Sequence, residues 1–239
     1  MELLRLTLET PELNLALDEA LLERAEQAAQ PYEVLRLWES PQICTILGKS
    51  SKVKEEVDQE TCEQHGISIH RRSSGGAAIV IGPGCLMYAV VLHYRKRPEA
   101  QVISQAHRLV MRTMMDALTP LAPDVEFLGT CDLTWRRKKF SGNSLRCRKN
   151  SLLYHGSLLY HFPLEKIEQC LKTPPRQPEY RANRHHRDFV ANLPVSAEDL
   201  QTALIGAWGA ENPAKDWPKE RTEQLAAEKY SDSGWNFRL

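Results

Sequence analysis

Three features that would narrow the function are missing from this sequence of 239 residues. Neither charge is in excess, because Lys and Arg total 31 and Asp and Glu also total 31, so bulk attraction to nucleic acid or to an anionic membrane is not indicated. No apolar run approaches the roughly 20 residues that a membrane helix needs, and no charged and apolar leader opens the chain. We therefore expect a cytoplasmic protein with neither nucleic acid nor a membrane as a partner.

Paired cysteines are missing as well. The six cysteines stand at positions 44, 62, 85, 131, 147 and 170 without a C-x-x-C pair, which argues against a zinc knuckle or a redox dithiol. In a reducing cytosol they should be free thiols. A Walker phosphate loop is also excluded, because Ile43 occupies the position where that motif requires a glycine before Gly48-Lys49-Ser50.

The composition that remains is ordinary for a globular protein, with 42% hydrophobic and 26% charged residues. We expect one α/β domain over residues 1–239, with mixed or antiparallel β-sheets flanked by helices. Apolar residues at helical spacing predict helices near residues 13–25 and 102–117. A charged segment that ends at His65-Gly66 predicts a short helix over 53–65, and a further helix is expected over 197–208. Alternating and β-branched runs predict a first hairpin from residues 32–38 and 43–47.

The most informative stretch covers residues 71–84. Arg71 and Arg72 offer forked donors suited to phosphate or carboxylate, and the Ser-Gly-Gly run after them lets backbone N–H groups approach a ligand closely. This combination predicts a loop that binds an anion. The β-favouring residues after it, interrupted by Gly82-Pro83-Gly84, predict a second hairpin with residues 85–92 as its apolar arm.

A second informative stretch covers residues 129–159 and contains four consecutive cations at 136–139. The first three are interpreted as a solvated turn. Strand alternation would place Lys139 on the face opposite to Phe140, so that only one of the two side chains enters the core. A lysine held there can neutralise a phosphate or polarise a carbonyl oxygen.

Together these motifs resemble the lipoate-protein ligase A and octanoyltransferase family, which has the biotin/lipoate ligase fold. The similarity runs along nearly the whole chain, and the order and spacing of the motifs carry it. The matching segments are Asn14 to Ala20, Leu37-Trp38 with Gly48-Lys49, Arg71-Arg72-x-Ser74-Gly75-Gly76, Asp132, Lys139-x-Ser141-Gly142, His155-Gly156-Ser157-Leu158-Leu159, Asn192-Leu193 and Trp235-Asn236.

The resemblance implies transfer of an activated lipoyl or octanoyl group to one lysine of a small acceptor. Implied acceptors are the lipoyl domains of 2-oxoacid dehydrogenases and the glycine-cleavage H protein, and implied cofactors are lipoate or octanoate, with ATP and Mg²⁺ for a ligase. It places Lys139 at the acyl carbonyl and phosphate, and Asp132 near the nucleotide and magnesium. The implied acyl-adenylate contacts are Arg71, Arg72, Ser74, Gly75, Gly76, Ala77, Ser141, Gly142, His155 and Gly156.

Three positions depart from the family pattern. The third glycine of the loop is Ala77, the histidine further along the strand is Ile81, and the residue before the nucleotide-site Asp132 is Cys131 instead of asparagine. The chain also ends near Leu239, where we expect a C-terminal accessory domain to be missing and a partner subunit to supply its role. These departures put ATP handling in question.

Two alternatives therefore stay open. An octanoyltransferase takes its acyl group from acyl carrier protein onto a cysteine and needs no ATP; Cys147 is the candidate, because Arg146, Arg148 and Lys149 would stabilise a thiolate there. An incidental thiol in a basic loop explains Cys147 equally well. The other alternative is a relative that binds a lipoyl group or a nucleotide without catalysis, which predicts ligand-induced stabilisation and no transfer.

Overall fold

The computed structural model describes all residues, 1–239, and contains eleven β-strands and nine α-helices. The strands are β1 (Glu2–Arg5), β2 (Val34–Glu39), β3 (Cys44–Leu47), β4 (Ser68–Arg71), β5 (Ile79–Ile81), β6 (Cys85–His93), β7 (Val125–Leu128), β8 (Asp132–Trp135), β9 (Lys138–Cys147), β10 (Ser151–Leu159) and β11 (Asn212–Pro213). The helices are α1 (Pro11–Gln27), α2 (Val53–Glu56), α3 (Gln59–Gln64), α4 (Ile103–Leu118), α5 (Glu165–Cys170), α6 (His186–Phe189), α7 (Ala197–Trp208), α8 (Lys219–Leu225) and α9 (Ser233–Asn236).

The strands form two sheets. The large sheet has eight strands in the order β11-β1-β2-β6-β10-β9-β8-β7, and the small sheet has the order β4-β3-β5. Strands β6 and β10 lie in the middle of the large sheet and are buried along their whole length, because α4 and α7 cover one face and α1 covers the other. A strand covered on both faces needs the continuous apolar run that both segments contain. The predicted fold class, mixed sheets flanked by helices, is confirmed.

Helix α1 is buried on more than one side. Thr10 caps its N-terminus by accepting a hydrogen bond from the Leu13 N–H, and proline occupies the first helical position, where no N–H is needed. Asp18 and Glu19 are each only 3% exposed. Both carboxylates therefore need charged partners inside the protein.

The two predicted hairpins are wrong in the same way. Residues 32–38 and 43–47 become β2 and β3, and residues 79–81 and 85–92 become β5 and β6, but in each pair one strand joins the large sheet and the other joins the small sheet. The Ser-Pro and Gly-Pro-Gly signals specify a change of direction without specifying the pairing partner. The partner is set by burial: β6 pairs with the long strands β2 and β10, whereas the short β5 pairs with β3.

The remaining local predictions need one correction. The charged helix predicted over 53–65 is divided into α2 and α3, because Val57 is extended and Asp58 caps the second helix by accepting a hydrogen bond from the Thr61 N–H at 2.9 Å. The helices predicted at 102–117 and 197–208 are confirmed as α4 and α7. No helix combines the length and apolar character that a membrane span requires.

Candidate functional site

The Ser-Gly-Gly loop lies between β4 and β5 and faces β9 and β10 of the large sheet. Gly76 has φ of +88°, and a Cβ placed on Gly48 would stand 1.8 Å from the Gly76 carbonyl oxygen, so two backbone segments touch there. The Lys49 N–H donates to the Ser74 carbonyl at 2.7 Å, and the Ser144 hydroxyl donates to the Gly75 carbonyl at 2.9 Å. The loop is therefore held from both sides.

Arg72 shapes this loop from within. Its guanidinium donates to the carbonyls of Gly75 (2.5 Å), Ala77 (3.0 Å) and Ile46 (3.2 Å) and to the Ser74 hydroxyl (3.1 Å). Five donors on a planar fork suit this convergence of carbonyl oxygens. Arg72 lines the smaller cavity, although most of its donors are already engaged, and its contact with an anion stays a prediction.

Arg71 was predicted to contact the anion, and the structure does not bring it to either cavity. The side chain is 0% exposed. Its Nη1 donates to the carbonyls of Gly48 (2.8 Å) and Ser51 (2.7 Å), and its Nε donates to those of Trp235 and Asn236, both at 3.1 Å. The side-chain oxygen of Asn236 accepts the Arg71 N–H at 2.9 Å. Arg71 therefore fastens the loop to the C-terminal segment.

His155 is the centre of a buried hydrogen-bond chain that links β10 to the loop. Its Nδ1 lies 3.0 Å from Asp18 Oδ2, and its Nε2 lies 2.6 Å from the Ser74 hydroxyl. Arg36 donates to Asp18 Oδ1 at 2.6 Å and to Asn14 Oδ1 at 2.6 Å. Burial alone would raise the pKa of Asp18, but Arg36 and His155 outweigh burial and lower it. An ionised carboxylate only accepts, so a neutral His155 carries its proton on Nδ1 and accepts from Ser74 through Nε2.

Lys139 occupies the position that strand alternation predicted. Phe140 is fully buried, whereas the Lys139 side chain is 28% exposed and its Nζ lies 2.7 Å from Asp132 Oδ1. The other Asp132 oxygen accepts from the Tyr180 hydroxyl at 2.8 Å. A Cβ on Gly142 would stand 3.0 Å from Lys139 Nζ, so a glycine there leaves the ammonium room. No group of three His, Cys, Asp or Glu side chains has an arrangement that could hold a metal ion.

Two cavities meet at Lys139. The larger has about 820 Å³ of empty space and the smaller about 630 Å³, counting their open mouths. Both are lined by residues 77–79, Lys139 and Gly142. The smaller adds the apolar side chains of Leu15, Trp38, Ile46, Ile81 and Met87 and the polar groups of Asp18, Arg72, Asn143, Ser144 and His155. The larger adds Phe140, Ile167, Phe189 and Val190 together with Lys172, Arg176, Arg181 and His186.

Ser141, Gly142 and Gly156 of β9 and β10 line these cavities, and their contact with a ligand stays a prediction. Beside them lies Asn143, which the sequence motifs do not mark. A Cβ on Gly156 would stand 1.8 Å from Asn143 Oδ1, so only glycine leaves space for that amide. Asn143 accepts from the Tyr88 hydroxyl at 2.5 Å and lies 3.1 Å from the Ser141 hydroxyl. Asn143 therefore orders the floor between Ser141 and Gly156.

The sequence motifs do not mark Arg181 and His186, which lie in a run of basic residues of the kind that is usually solvated. Arg181 is 3% exposed, and its guanidinium lies 4.7 Å from the ring centre of Phe189. Its Nη2 is buried without a hydrogen-bond partner, and the side chain lines the larger cavity. A buried guanidinium with a free donor is suited to an anion or a polar heterocycle. Burial lowers the pKa of His186, which favours its neutral form.

Cys147 is not brought to the site. It is exposed at the end of β9 and lines neither cavity. Strand alternation puts Cys147 on the face opposite to Ser144 and Arg146, and Arg146 reaches Glu19 of α1 at 2.6 Å. Cys131 lies closer, donating to the Asn143 carbonyl at 3.0 Å, and burial together with Asp132 raises its pKa to about 11. Cys131, whose raised pKa makes it the poorer nucleophile, therefore lies nearer to the site than the exposed Cys147.

Comparison with known proteins decides the family. The model of the lipoyl protein ligase A/B catalytic domain matches residues 10–205, which is most of the chain. The chain belongs to this family. A lipoate-protein ligase A subunit 1 of Thermoplasma acidophilum is 27% identical over 98% of this chain and 96% of its own length. An octanoyltransferase LipM of Halalkalibacterium halodurans is 22% identical over 95% of each chain.

Solved structures of the family agree with the fold. A T. acidophilum lipoate protein ligase with bound lipoic acid has a TM-score of 0.82 at 25% identity, covering 100% of this chain and 99% of that one. A bipartite T. acidophilum ligase studied with its E2 lipoyl domain has a TM-score of 0.82 at 26% identity, covering 99% and 95%. A lipoate-protein ligase A bound with ATP has a TM-score of 0.81 at 26% identity, covering 99% and 98%. The predicted family, fold and enzyme class are confirmed.

Proposed function

We propose that this lipoyl protein ligase family member activates lipoate with ATP and transfers the lipoyl group to a lysine of a lipoyl domain. The observation that carries the proposal is the position of Lys139, which lines both the smaller cavity beside α1 and the larger cavity that contains the basic side chains Lys172, Arg176 and Arg181. A carboxylate at the end of an apolar chain and the phosphate of a nucleotide have to come together at such a point.

The smaller cavity suits the acyl chain. Its walls come from α1 and both sheets, and six of its lining side chains are apolar groups of Leu, Ile, Met and Trp type. Apolar pockets with a few placed polar groups are the usual form of small-molecule sites. Related structures with lipoic acid bound support the same ligand here.

The larger cavity suits the nucleotide. Arg181 and Lys172 add positive charge to a wall that also contains the Phe189 ring, and a related ligase has been solved with ATP. Arg181 has a free donor for a phosphate or a base. The departures at Ala77, Ile81 and Cys131 do not remove these groups.

Magnesium fits this site only as a companion of the nucleotide. Asp132, the predicted ligand, already binds Lys139 and Tyr180 through its two oxygens. Mg²⁺ commonly takes most of its ligands from phosphate oxygens and water, with one or two carboxylates. Mg²⁺ would therefore be held mainly by the phosphates of the nucleotide and by water.

The residues present can support both half-reactions. In the first, a lipoate oxygen attacks the α-phosphorus of ATP, forming the acyl-adenylate and releasing pyrophosphate. In the second, the acceptor amine attacks the acyl carbon, loses a proton, and AMP leaves with the electron pair of the broken bond. Lys139 would stabilise negative charge on the phosphate and on the tetrahedral oxyanion, and Gly76 and Ala77 line the same cavity.

An octanoyltransferase would need a cysteine at the acyl carbonyl, and the exposed position of Cys147 outside both cavities does not support it. The bipartite relative and its E2 lipoyl domain support a lipoyl domain as acceptor and a separate accessory subunit as partner. We extend the proposed acceptors to the H protein, and keep acyl carrier protein as the donor only for the transferase alternative.

The test is intact-mass spectrometry of an apo E2 lipoyl domain incubated with the purified protein. One reaction contains lipoate, ATP and Mg²⁺, and another contains octanoyl-acyl carrier protein. Modification in the first reaction supports the ligase. Modification only in the second contradicts it and makes Cys131→Ser and Cys147→Ser the next variants. Lipoate-induced stabilisation with no modification in either, even with an accessory subunit added, would show a binding protein.

A further inference from the structure

The turn between β8 and β9 has an unusual composition for its geometry. It is a two-residue turn made by Arg136 and Arg137, whose φ angles are +51° and +60°, between the paired residues Trp135 and Lys138. Turns with two positive φ values strongly prefer Asn-Gly or similar pairs, because side chains with a Cβ are strained there. Strained positions of this kind are concentrated at functional sites.

The side chains of this turn face solvent. Arg136, Arg137 and Lys138 are all exposed. Arg136 has one loose ion pair with the exposed Asp124 at 3.7 Å and lies 4.5 Å above the Trp135 ring, while Arg137 and Lys138 form no ion pair. In a chain with no net charge, this basic turn (residues 136–138) is a local excess of positive charge.

The basic turn stands at the edge of the site. Lys139 follows two positions after Arg137, a separation of roughly 7 Å along an extended strand. Arg184 also fixes the turn by donating from both terminal nitrogens to the Arg137 carbonyl at 3.2 and 3.3 Å. Arg184 belongs to the segment that lines the larger cavity through Arg181 and His186. None of the three turn residues lines either cavity, so small ligands are not what they face.

We propose that the basic turn is the docking contact for the acceptor protein, a small domain with acidic side chains beside its target lysine. The inference rests on the proposed function, because an acceptor whose lysine reaches Lys139 must cover the surface next to it. Opposite charges at the rim of an interface raise the association rate and fix the orientation of the partners. A need for positive charge beside Lys139 would explain why arginines occupy turn positions that favour asparagine and glycine.

A charge-reversed variant, Arg137→Glu with Lys138→Glu, tests the proposal. Lys149→Glu is the matched control, because it is an exposed lysine beyond the other end of β9, roughly 35 Å away along the strand. Binding of an apo E2 lipoyl domain is measured by biolayer interferometry at about 50 and about 200 mM salt. Lipoate-dependent exchange of pyrophosphate into ATP, which needs no acceptor, is measured in parallel.

We expect acceptor binding of the charge-reversed variant to fall about tenfold or more and to lose most of its salt dependence, with the exchange rate unchanged and the control within about twofold. A second variant, Arg136→Asn with Arg137→Gly, relieves the strain. It should raise the melting temperature by about 2–4 °C while still weakening acceptor binding.

Three results would overturn the proposal: acceptor binding within twofold of the unmodified protein, an equal fall in pyrophosphate exchange, or no binding of the lipoyl domain by the unmodified protein. The exchange reaction separates this failure from that of the proposed function. If lipoate-dependent exchange occurs without acceptor docking, the activation step of the proposed function stands and only the docking contact fails. If no exchange occurs even with the accessory subunit added, the proposed ligase function itself fails.

Discussion

The two cavities on either side of Lys139 are built differently. In the smaller one, both oxygens of Asp18, both ring nitrogens of His155 and the Ser144 hydroxyl are hydrogen-bonded within the protein, and the exception is the unpaired indole N–H of Trp38. Its walls are strands and a long helix. In the larger one, the cations come from the irregular segment after α5, and the buried Arg181 keeps a free donor.

This difference in hydrogen bonding suits the two cavities to different ligands. A wall whose polar groups satisfy one another offers shape and apolar surface, which suits a hydrocarbon chain. A wall with an unsatisfied guanidinium offers charge, which suits a phosphate. Lys139 of β9 lines both cavities, so the proposed function uses its amine for both ligands.

Replacing the shared group should have the largest effect. Lys139→Ala should lower lipoyl transfer by about 10²–10³-fold, because the charge at the acyl carbonyl and phosphate is lost. The fold should remain, since Asp132 keeps its hydrogen bond from Tyr180. Single-turnover transfer and circular dichroism measure the two effects, with Lys149→Ala, at an exposed lysine outside both cavities, as control. Normal transfer by the variant, or its unfolding, would contradict the role.

Breaking the polar network of the smaller cavity should come next. Asp18→Asn leaves Arg36 buried without its counter-charge, which should cost about 3–5 kcal/mol of unfolding free energy. It also removes the acceptor that orients His155, so transfer should fall about 10–100-fold. The double variant Asp18→Asn with Arg36→Met should regain much of the stability but not the transfer. If transfer returns together with stability, the network is only structural. The proton position on His155 can be followed by ¹⁵N NMR.

Removing the free donor of the larger cavity should have a smaller effect confined to one substrate. Arg181→Ala should raise the KM for ATP about tenfold and leave the KM for lipoate within twofold. Arg187→Ala is the matched control, because that arginine is exposed in the same segment and lines neither cavity. If only the KM for lipoate rose, the larger cavity would be the lipoate site and the smaller one the ATP site.

The buried carboxylates of α1 predict how stability depends on pH. Burial alone would raise the pKa of Glu19, but Lys229, Tyr230 and Arg146 outweigh the effect of burial and lower this pKa below its ordinary value of 4.5. The pKa of Asp18 is likewise lowered, below its ordinary value of 3.8. Carboxylates with depressed pKa values stabilise the fold above their unfolded values and lose this contribution as the pH falls through the folded ones. Urea unfolding between about pH 5 and pH 2.5 should therefore show decreasing stability, less steeply in Asp18→Asn. Stability that is flat across this range would contradict the ion pairs.

The smallest effect should come from Cys147. Because it lies outside both cavities, Cys147→Ser should change ligase activity by less than about twofold. The measurement is the same transfer assay with lipoate and ATP. If the variant instead lost transfer from an octanoyl carrier donor, the transferase interpretation would be supported, with Cys147 as its nucleophile.

The sequence predicted the fold class and most elements because their signals are local. The stripe that became α4 and the continuous apolar run that became β6 can be identified from nearest neighbours alone. The hairpins failed because β2 pairs with β6 across more than 45 positions, through burial of both faces, and no turn residue encodes that pairing.

The site was predictable where one strand contained the information. Lys139 was identified by alternation with Phe140 and by the Ser-Gly break that follows. The chain from Arg36 through Asp18 to His155 joins β2, α1 and β10, and each residue by itself indicates only a polar group in an apolar segment. Arg181 was missed because a run of basic residues is usually solvated, and only the packing on Phe189 distinguishes it.

The fastening of Arg71 by Trp235 and Asn236 has a consequence for biosynthesis. The two partners are 164 and 165 positions away from Arg71. A ribosome therefore releases the Ser-Gly-Gly loop, Lys139 and His155 well before the segment that secures the loop has been made. Nascent chains halted before residue 235 should hold the large sheet with an unfastened loop, and competence for acyl transfer should arise only at the last stage of synthesis.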